Sequence, residues 1–346
     1  MIEFYKKLYA AAQAMYRAHS FDRTPTAPII AFEVFLLAMA GFALWWMWKN
    51  EKKGVQQFLV AAGGLFIHQF FTSPMWHNYK MGSWAYLYQD ISWISTLAWA
   101  TFISAAIIIV DRFFGRLKDW QRFPLYLAVL APFAMAYETA MLKLGISGYS
   151  PEVQQVLSGR ELLGTPAEGF FYVPVFMALV VSFTKYWTFY LLQKPVIPLR
   201  RRPWLRSLAV SLAAVLLFEF TVEPMVENKG FPAWSYIYRD ISLVLTGAWI
   251  ALVWFTINTV DKFFIHYDLL KKFALYLGMI FVLVLPAELW LMIKGYRVYS
   301  PSTEAAFTGL HIPWTGLPVE VICGIPLYFA LILSFVKYWE IILDNR

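Results

Sequence analysis

Residues 74–92 read PMWHNYKMGSWAYLYQDIS, and residues 224–242 read PMVENKGFPAWSYIYRDIS, identical at nine of nineteen positions. The same 150-residue offset pairs Asp111 with Asp261, Phe113-Phe114 with Phe263-Phe264, Glu138 with Glu288, and Tyr149-Ser150-Pro151 with Tyr299-Ser300-Pro301. After a two-residue insertion it pairs Pro166 with Pro318, Glu168 with Glu320, and SFTKYW at 182–187 with SFVKYW at 334–339. A tandem duplication therefore covers nearly the whole chain, and any fold it adopts must be built twice.

The solvent for that fold is lipid. Sixty per cent of residues are hydrophobic, 15% are charged, and several apolar runs approach the ~20 residues needed to cross a bilayer. The aromatic share of 19% is high, but Trp and Tyr belts at the two interfaces account for part of it without any ligand. The runs predict an all-α integral membrane protein of about nine spanning helices, starting near Ile29, Val55, Ile91, Phe123, Phe170, Trp204, Ile241, Phe273 and Val319. Each is bounded by charge, Gly or Pro. The second is the weakest, because Gly63-Gly64 and His68-Gln69 interrupt it.

Lys and Arg orient these helices. The loops after helices one, three, five and seven hold Lys52 and Lys53; Arg112, Arg116, Lys118 and Arg122; Lys194 and Arg200 to Arg202; and Lys262, Lys271 and Lys272. The alternate loops hold only Lys80; Lys143 and Arg160; Lys229 and Arg239; and Lys294 and Arg297. The positive-inside rule makes the first set cytoplasmic, so the C-terminus is expected inside and the N-terminus outside, although Lys6, Lys7, Arg17 and Arg23 pull the other way. Residues 3–19 read as an interfacial amphipathic helix rather than a cleaved signal peptide. The expected organisation is an N-terminal segment 1–28, a first repeat 29–193 carrying one extra helix, a cytoplasmic linker 194–203 and a second repeat 204–346. Four spans per unit return the chain to the same side, so the two repeats should be parallel, related by an axis along the membrane normal. The extra helix, with Pro28 and Glu33, weakly resembles the Pro166/Glu168 and Pro318/Glu320 helix starts and could be a partial third copy.

The repeated acids gather toward one side, the extracytoplasmic one. Asp90 and Asp240 should open helices three and seven, Glu138 and Glu288 sit near the ends of helices four and eight, and Glu168 and Glu320 begin helices five and nine. Around them stand Trp84, Tyr86, Tyr88 and Tyr149, with their copies Trp234, Tyr236, Tyr238 and Tyr299. Carboxylates at membrane depth are costly unless paired, hydrated or used. The blander account is that an acid in the first turn of a helix caps it and favours its dipole, and that interfacial Trp and Tyr need no ligand. Capping or structural pairing suits Asp90 and Asp240 best. Glu138 and Glu288, inside the apolar runs FAMAYETAML and LPAELWLM, favour a functional role. For Glu168 and Glu320 the two accounts balance.

Other chemistries are easier to exclude. His19, His68, His77, His266 and His311 have no histidine at the matching position, which argues against a histidine-rich di-iron site. No phosphate-binding loop, dinucleotide fingerprint, H-E-x-x-H or C-x-x-C occurs, so neither a metal nor an organic cofactor is expected. The single cysteine, Cys323, is expected to pack. The net charge of +7 is spread over short loops and so reflects membrane topology, not nucleic-acid binding.

The segments GYSPEVQQVLSGRELLGTPAEGFFYVPVFMALVVSF and VYSPSTEAAFTGLHIPWTGLPVEVICGIPLYFALILSF resemble the ending of the lycopene cyclase domain of bacterial and fungal heterodimeric or fused carotenoid cyclases. There an aromatic-Asn/Ser-Pro turn leads through a glycine-containing loop to L-P-x-E-E and an apolar helix. AYETAMLKLGISGYSP and PAELWLMIKGYRVYSP are similar to that family's acid-bearing helix, and the likeness covers about 40% of the chain. The departures are specific. Gly169 and Val321 stand where the family has a second acid, and each unit here has one helix more than the family's three. A fainter likeness is to carotenoid hydratases, through Glu227, Gly230, Tyr236 and Tyr238.

The resemblance implies an enzyme of carotenoid or isoprenoid metabolism in a bacterial inner membrane, cyclising a polyene end group without redox change. Glu138, Glu288, Glu168 and Glu320 would be the acid and base groups, and the repeated Asp, Trp and Tyr residues would line the substrate. A protonated, buried carboxyl would give a proton to an alkene, and aromatic faces would steady the cation, each by about 0.5 to 2 kcal/mol. Three alternatives are a lipid or small-molecule carrier or structural subunit on the same scaffold, a hydratase, and a duplicated fold whose active site has decayed. Against the carrier, Pro132 and Pro286 have no partners at 282 and 136 to mark paired broken helices.

Overall fold

The computed structural model describes residue 6 and residues 23–194, 204–312 and 315–344. The amphipathic helix expected at 3–19 lies outside the described residues apart from Lys6, as does the linker after Lys194. Long helices form on the apolar runs: α1 (Ala27–Asn50), α2 (Gly54–Thr72), α3 (Trp93–Phe113) and α4 (Asp119–Lys143), then the short α5 (Pro151–Val156) and the long α6 (Gly169–Leu191). The second half follows with α7 (Trp204–Val222), α8 (Leu243–Phe263), α9 (Leu269–Ile293), the short α10 (Pro301–Ala305) and α11 (Val319–Asp344). Among the described residues, seven helices are long and apolar enough to cross a membrane: α1, α3, α4, α7, α8, α9 and α11. Their outward faces are apolar as well. Phe42, Trp48, Phe255 and Val282 are exposed, as lipid-facing side chains are.

The fold differs from a purely helical expectation in the loops on one side, where short strands form twice. β1 (Trp76–Asn78) pairs antiparallel with β4 (Ser147–Tyr149), and β7 (Val226–Asn228) pairs antiparallel with β10 (Arg297–Tyr299). Between them, β2 (Tyr86–Tyr88) folds back on β3 (Ile91–Ser92), and β8 (Tyr236–Tyr238) on β9 (Ile241–Ser242). Gln89 (φ 45°) and Arg239 (φ 47°) make the left-handed step that a two-residue hairpin turn demands. A further small hairpin joins β5 (Glu161–Leu162) to β6 (Thr165–Pro166).

These hairpins correct one expectation: Asp90 and Asp240 do not open helices. They lie in the turns ahead of β3 and β9, and Ser92 caps α3 by accepting from Ser95 N at 3.3 Å. Asp90 instead accepts from His77 Nδ1 at 3.0 Å, and Asp240 from Asn228 N at 2.8 Å. Each acid thus ties its hairpin to the neighbouring strand. Cys323 also departs from expectation, since it is exposed on α11.

On the opposite side, the repeated Asp and SF-x-KYW motifs meet. Asp111 Oδ2 accepts from Lys185 Nζ at 2.8 Å, and Asp261 Oδ2 from Lys337 Nζ at 2.9 Å. Tyr126 and Tyr276 donate to the same two carboxylates. Each cluster locks three helices, and both lysines are 3% exposed.

The halves are interleaved at their boundary. α6 packs on α11, its counterpart by sequence, in the most extensive helix pairing of the molecule. Glu152 accepts from Ser302 N at 3.1 Å and from Ser302 Oγ at 2.6 Å, and 302 is the position that the offset assigns to 152. Met75 and its counterpart Met225 share one small buried cluster. α1 stands apart, packed on α2 and α3. Its Glu33 is 1% exposed and accepts from Gly82 N at 2.7 Å, which fixes the start of the first hairpin loop.

Candidate functional site

Two cavities lie at the hairpin side of the helices. The first, about 360 Å³, is lined by His68, Gln69, Trp99, Tyr137, Glu138 and Tyr149 among others. The second, about 140 Å³, is lined by Phe218, Glu219, Trp249, Glu288, Arg297 and Tyr299 among others. Most of these positions correspond through the 150-residue offset, so the two chambers are lined by matching pairs of positions.

Each chamber borrows a wall from the opposite half. Phe220, Thr221, Glu223, Pro224 and Tyr238 complete the first chamber. Their counterparts Phe70, Phe71, Ser73, Pro74 and Tyr88 complete the second. Ser73 and Glu223 line both chambers and stand where the two adjoin.

The same polar pair sits in each. β4 is held against β1, which brings Tyr149 back over the end of α4, where its hydroxyl donates to Glu138 Oε1 at 3.0 Å. β10 and β7 do the same for Tyr299 and Glu288, also at 3.0 Å. Burial, then the neighbouring carboxyl, raises both phenols above the ordinary tyrosine range, so they stay hydroxyl donors. Gln69 and Glu219, at matching positions, accept from Thr96 and Thr246 at 2.6 Å each. Trp99 and Tyr137 meet edge to face with centroids 5.6 Å apart, and give the first chamber an aromatic wall.

The chambers also differ in side chains that set their charge. His68 faces the first, and Phe218 takes its place in the second. Ser147 stands in the first where Arg297 stands in the second. Arg297 Nε lies 3.4 Å from Glu288 Oε1, with its guanidinium 5.7 Å from the Trp249 ring. Among the described residues the first chamber is lined by no Lys or Arg, and Glu138 makes no ion pair.

The expected site residues separate into groups. Glu138, Glu288, Tyr149, Tyr299, Asp90 and Asp240 all reach a chamber. Tyr88 and Tyr238 do so too, each in the chamber of the other half. Burial pushes the Tyr88 phenol up to about 12. Glu320 lines the second chamber while accepting from Thr308 N at 2.6 Å. Its counterpart Glu168 does not line the first. It accepts from Ser158 N at 2.8 Å, and hydrogen bonding to Ser158 holds its carboxyl below the usual range.

The remaining aromatics serve the loops. Trp84 and Trp234 are exposed, at 53% and 74%. Tyr86 donates to Asn78 O and Tyr236 to Asn228 O, each at 3.1 Å, which closes the hairpin loops. Glu227 is exposed and pairs with Lys229 at 2.5 Å, so only Tyr238 of the hydratase-like residues reaches a chamber. Sequence reasoning misses Trp99, Tyr137 and Arg297 as site residues, and reaches His68 only through its mismatch with Phe218, which marks the two halves as doing different work. The mismatch Ser147/Arg297 is the signal that could have found Arg297.

No family model, curated protein or solved structure matches this chain significantly.

Proposed function

We propose that the chain is a nine-span integral membrane protein, two parallel four-helix repeats plus α1, with its C-terminus in the cytoplasm of a bacterium. We further propose that it is a redox-neutral acid–base enzyme acting on the end group of a polyene or related isoprenoid. The contact of Glu152 with Ser302 and of α6 with α11 supports the arrangement of repeats, because a position touches its own copy only near a twofold axis. The loop charges support the orientation.

The observation that carries the enzymatic reading is the Glu138–Tyr149 pair in an aromatic chamber of about 360 Å³, within the ordinary range for small-molecule sites. The Glu138 O–H bond breaks as its proton forms a C–H bond at a terminal alkene carbon. The π pair of a nearby double bond then closes the ring on the resulting cation. A C–H proton next to the new cationic carbon returns to the Glu138 carboxylate, so the mass is unchanged and the acid is restored. Trp99 and Tyr137, which line the chamber, steady the cation.

The test is mass spectrometry of pigments from a lycopene-accumulating host with and without this protein, alongside a Glu138→Gln/Glu288→Gln double variant. The expected result is a new species of unchanged mass that disappears in the double variant. An unaltered profile with well-expressed, folded protein overturns the reading, and the gain of one water assigns a hydratase.

A second reading, a proton-coupled carrier of apolar molecules, is favoured by the walling of each chamber by both halves, the position at which many carriers bind their cargo. It predicts gradient-dependent uptake without chemical change.

A further inference from the structure

Duplication gives two chambers with the same Glu–Tyr pair, but the surroundings of the two carboxyls have diverged. Glu288 is 3% exposed, and Arg297 Nε approaches its Oε1 to 3.4 Å. Among the described residues Glu138 has only the Tyr149 hydroxyl, since Ser147 stands where an arginine would reach it. An apolar chamber favours a neutral carboxylic acid over a carboxylate unless a cation compensates it. The other titratable groups of the first chamber are His68, Asp90 and Glu223 with Tyr137, Tyr149 and Tyr238. Asp90 is already held by His77, and Glu223 by Arg239 at 3.4 Å. In the second chamber Arg297 is the one basic residue among the described lining residues, set among Glu219, Glu223, Asp240, Glu288 and Glu320.

We infer that the two chambers have divided one ancestral role between them, with Glu138 as the free acid able to give a proton, while Arg297 holds Glu288 as a carboxylate that binds and orients but does not protonate. This deepens the proposed acid–base reading and rests on it for the word substrate, but the difference between the two carboxyls is testable without any activity. Arg297 is then the residue that determines which chamber reacts. The volumes agree with this division, since the reacting end group has about 360 Å³ and the opposite chamber about 140 Å³.

The experiment is labelling of the intact protein in lipid vesicles at pH 7 with dicyclohexylcarbodiimide, which dissolves in the bilayer and reacts with carboxylic acids. The acid proton passes to a carbodiimide nitrogen, the carboxyl oxygen adds to the central carbon, and acyl migration to nitrogen leaves a stable N-acylurea. Peptide mass spectrometry then locates the label. The expected result is modification at Glu138 at least tenfold above Glu288. Arg297→Gln should bring Glu288 up to the level of Glu138, Arg297→Lys should not, and Ser147→Arg should protect Glu138. Equal labelling of the two sites in the unaltered protein overturns the inference, as does labelling of Glu288 alone or of neither. Asymmetric labelling in a protein that leaves lycopene unchanged would keep the division of the chambers and remove only the substrate.

Discussion

Glu138 and Glu288 occupy equivalent positions and accept the same tyrosine bond at 3.0 Å, so what separates them is their neighbours. Glu138→Gln is expected to lower conversion by ~10²- to 10⁴-fold, the usual contribution of a positioned acid, with binding retained. Tyr149→Phe removes one hydrogen bond and should cost about tenfold, equivalent to ~1.4 kcal/mol. Initial rates and substrate affinity measured in vesicles check both. The raised phenols give a stability prediction. A buried Tyr whose folded pKa exceeds the ordinary value of about 10 contributes fully below that pH and loses its contribution as pH rises beyond it. Thermal unfolding in detergent should therefore be level in this respect from pH ~8 to ~9.5 and fall above pH ~10. Replacement of Tyr88, Tyr149 and Tyr299 by Phe should flatten that fall.

At the scale of elements, the ion-pair clusters fasten the helices on one side and the strand pairs fasten the loops on the other. Lys185→Met should destabilise the protein by ~1 to 3 kcal/mol, discounted from a fully buried pair because the Asp111 side chain is 34% exposed. Differential scanning in detergent would register this as a lower Tm, and Lys337→Met should act similarly through Asp261. Helix positions are legible in the sequence because an apolar run in lipid must satisfy its own backbone. The strands are not, because three-residue ladders leave no periodicity to read. Asp90 and Asp240 resemble helix caps because Ile-Ser and an apolar run follow them, yet a hairpin turn claims them first. Tyr88 and Tyr238 are recognisable as repeated, but chain proximity assigns each to its own half, whereas the fold passes each across the boundary. The lack of a histidine partner argues against His68 as a metal ligand, although that same asymmetry is what distinguishes the chambers.

For the whole molecule, the loop charges predict which side each chamber faces. With the exposed Cys323 first replaced by Ser, Lys52→Cys should react with an impermeant maleimide only from the cytoplasmic side, and Lys80→Cys only from the opposite side. Labelling of both from one side would overturn the orientation. The crossing of chamber walls has a consequence for inheritance. A single unit of this kind cannot close its own pocket and would need an identical companion to lend it the missing wall. In such a pair every mutation strikes both pockets at once, so a change that improves one role is forced on the other. Within one polypeptide the two pockets are free of that restriction. Arginine stands beside one carboxyl and serine holds the matching place beside the other, so a single chain carries two inequivalent pockets and can keep them apart.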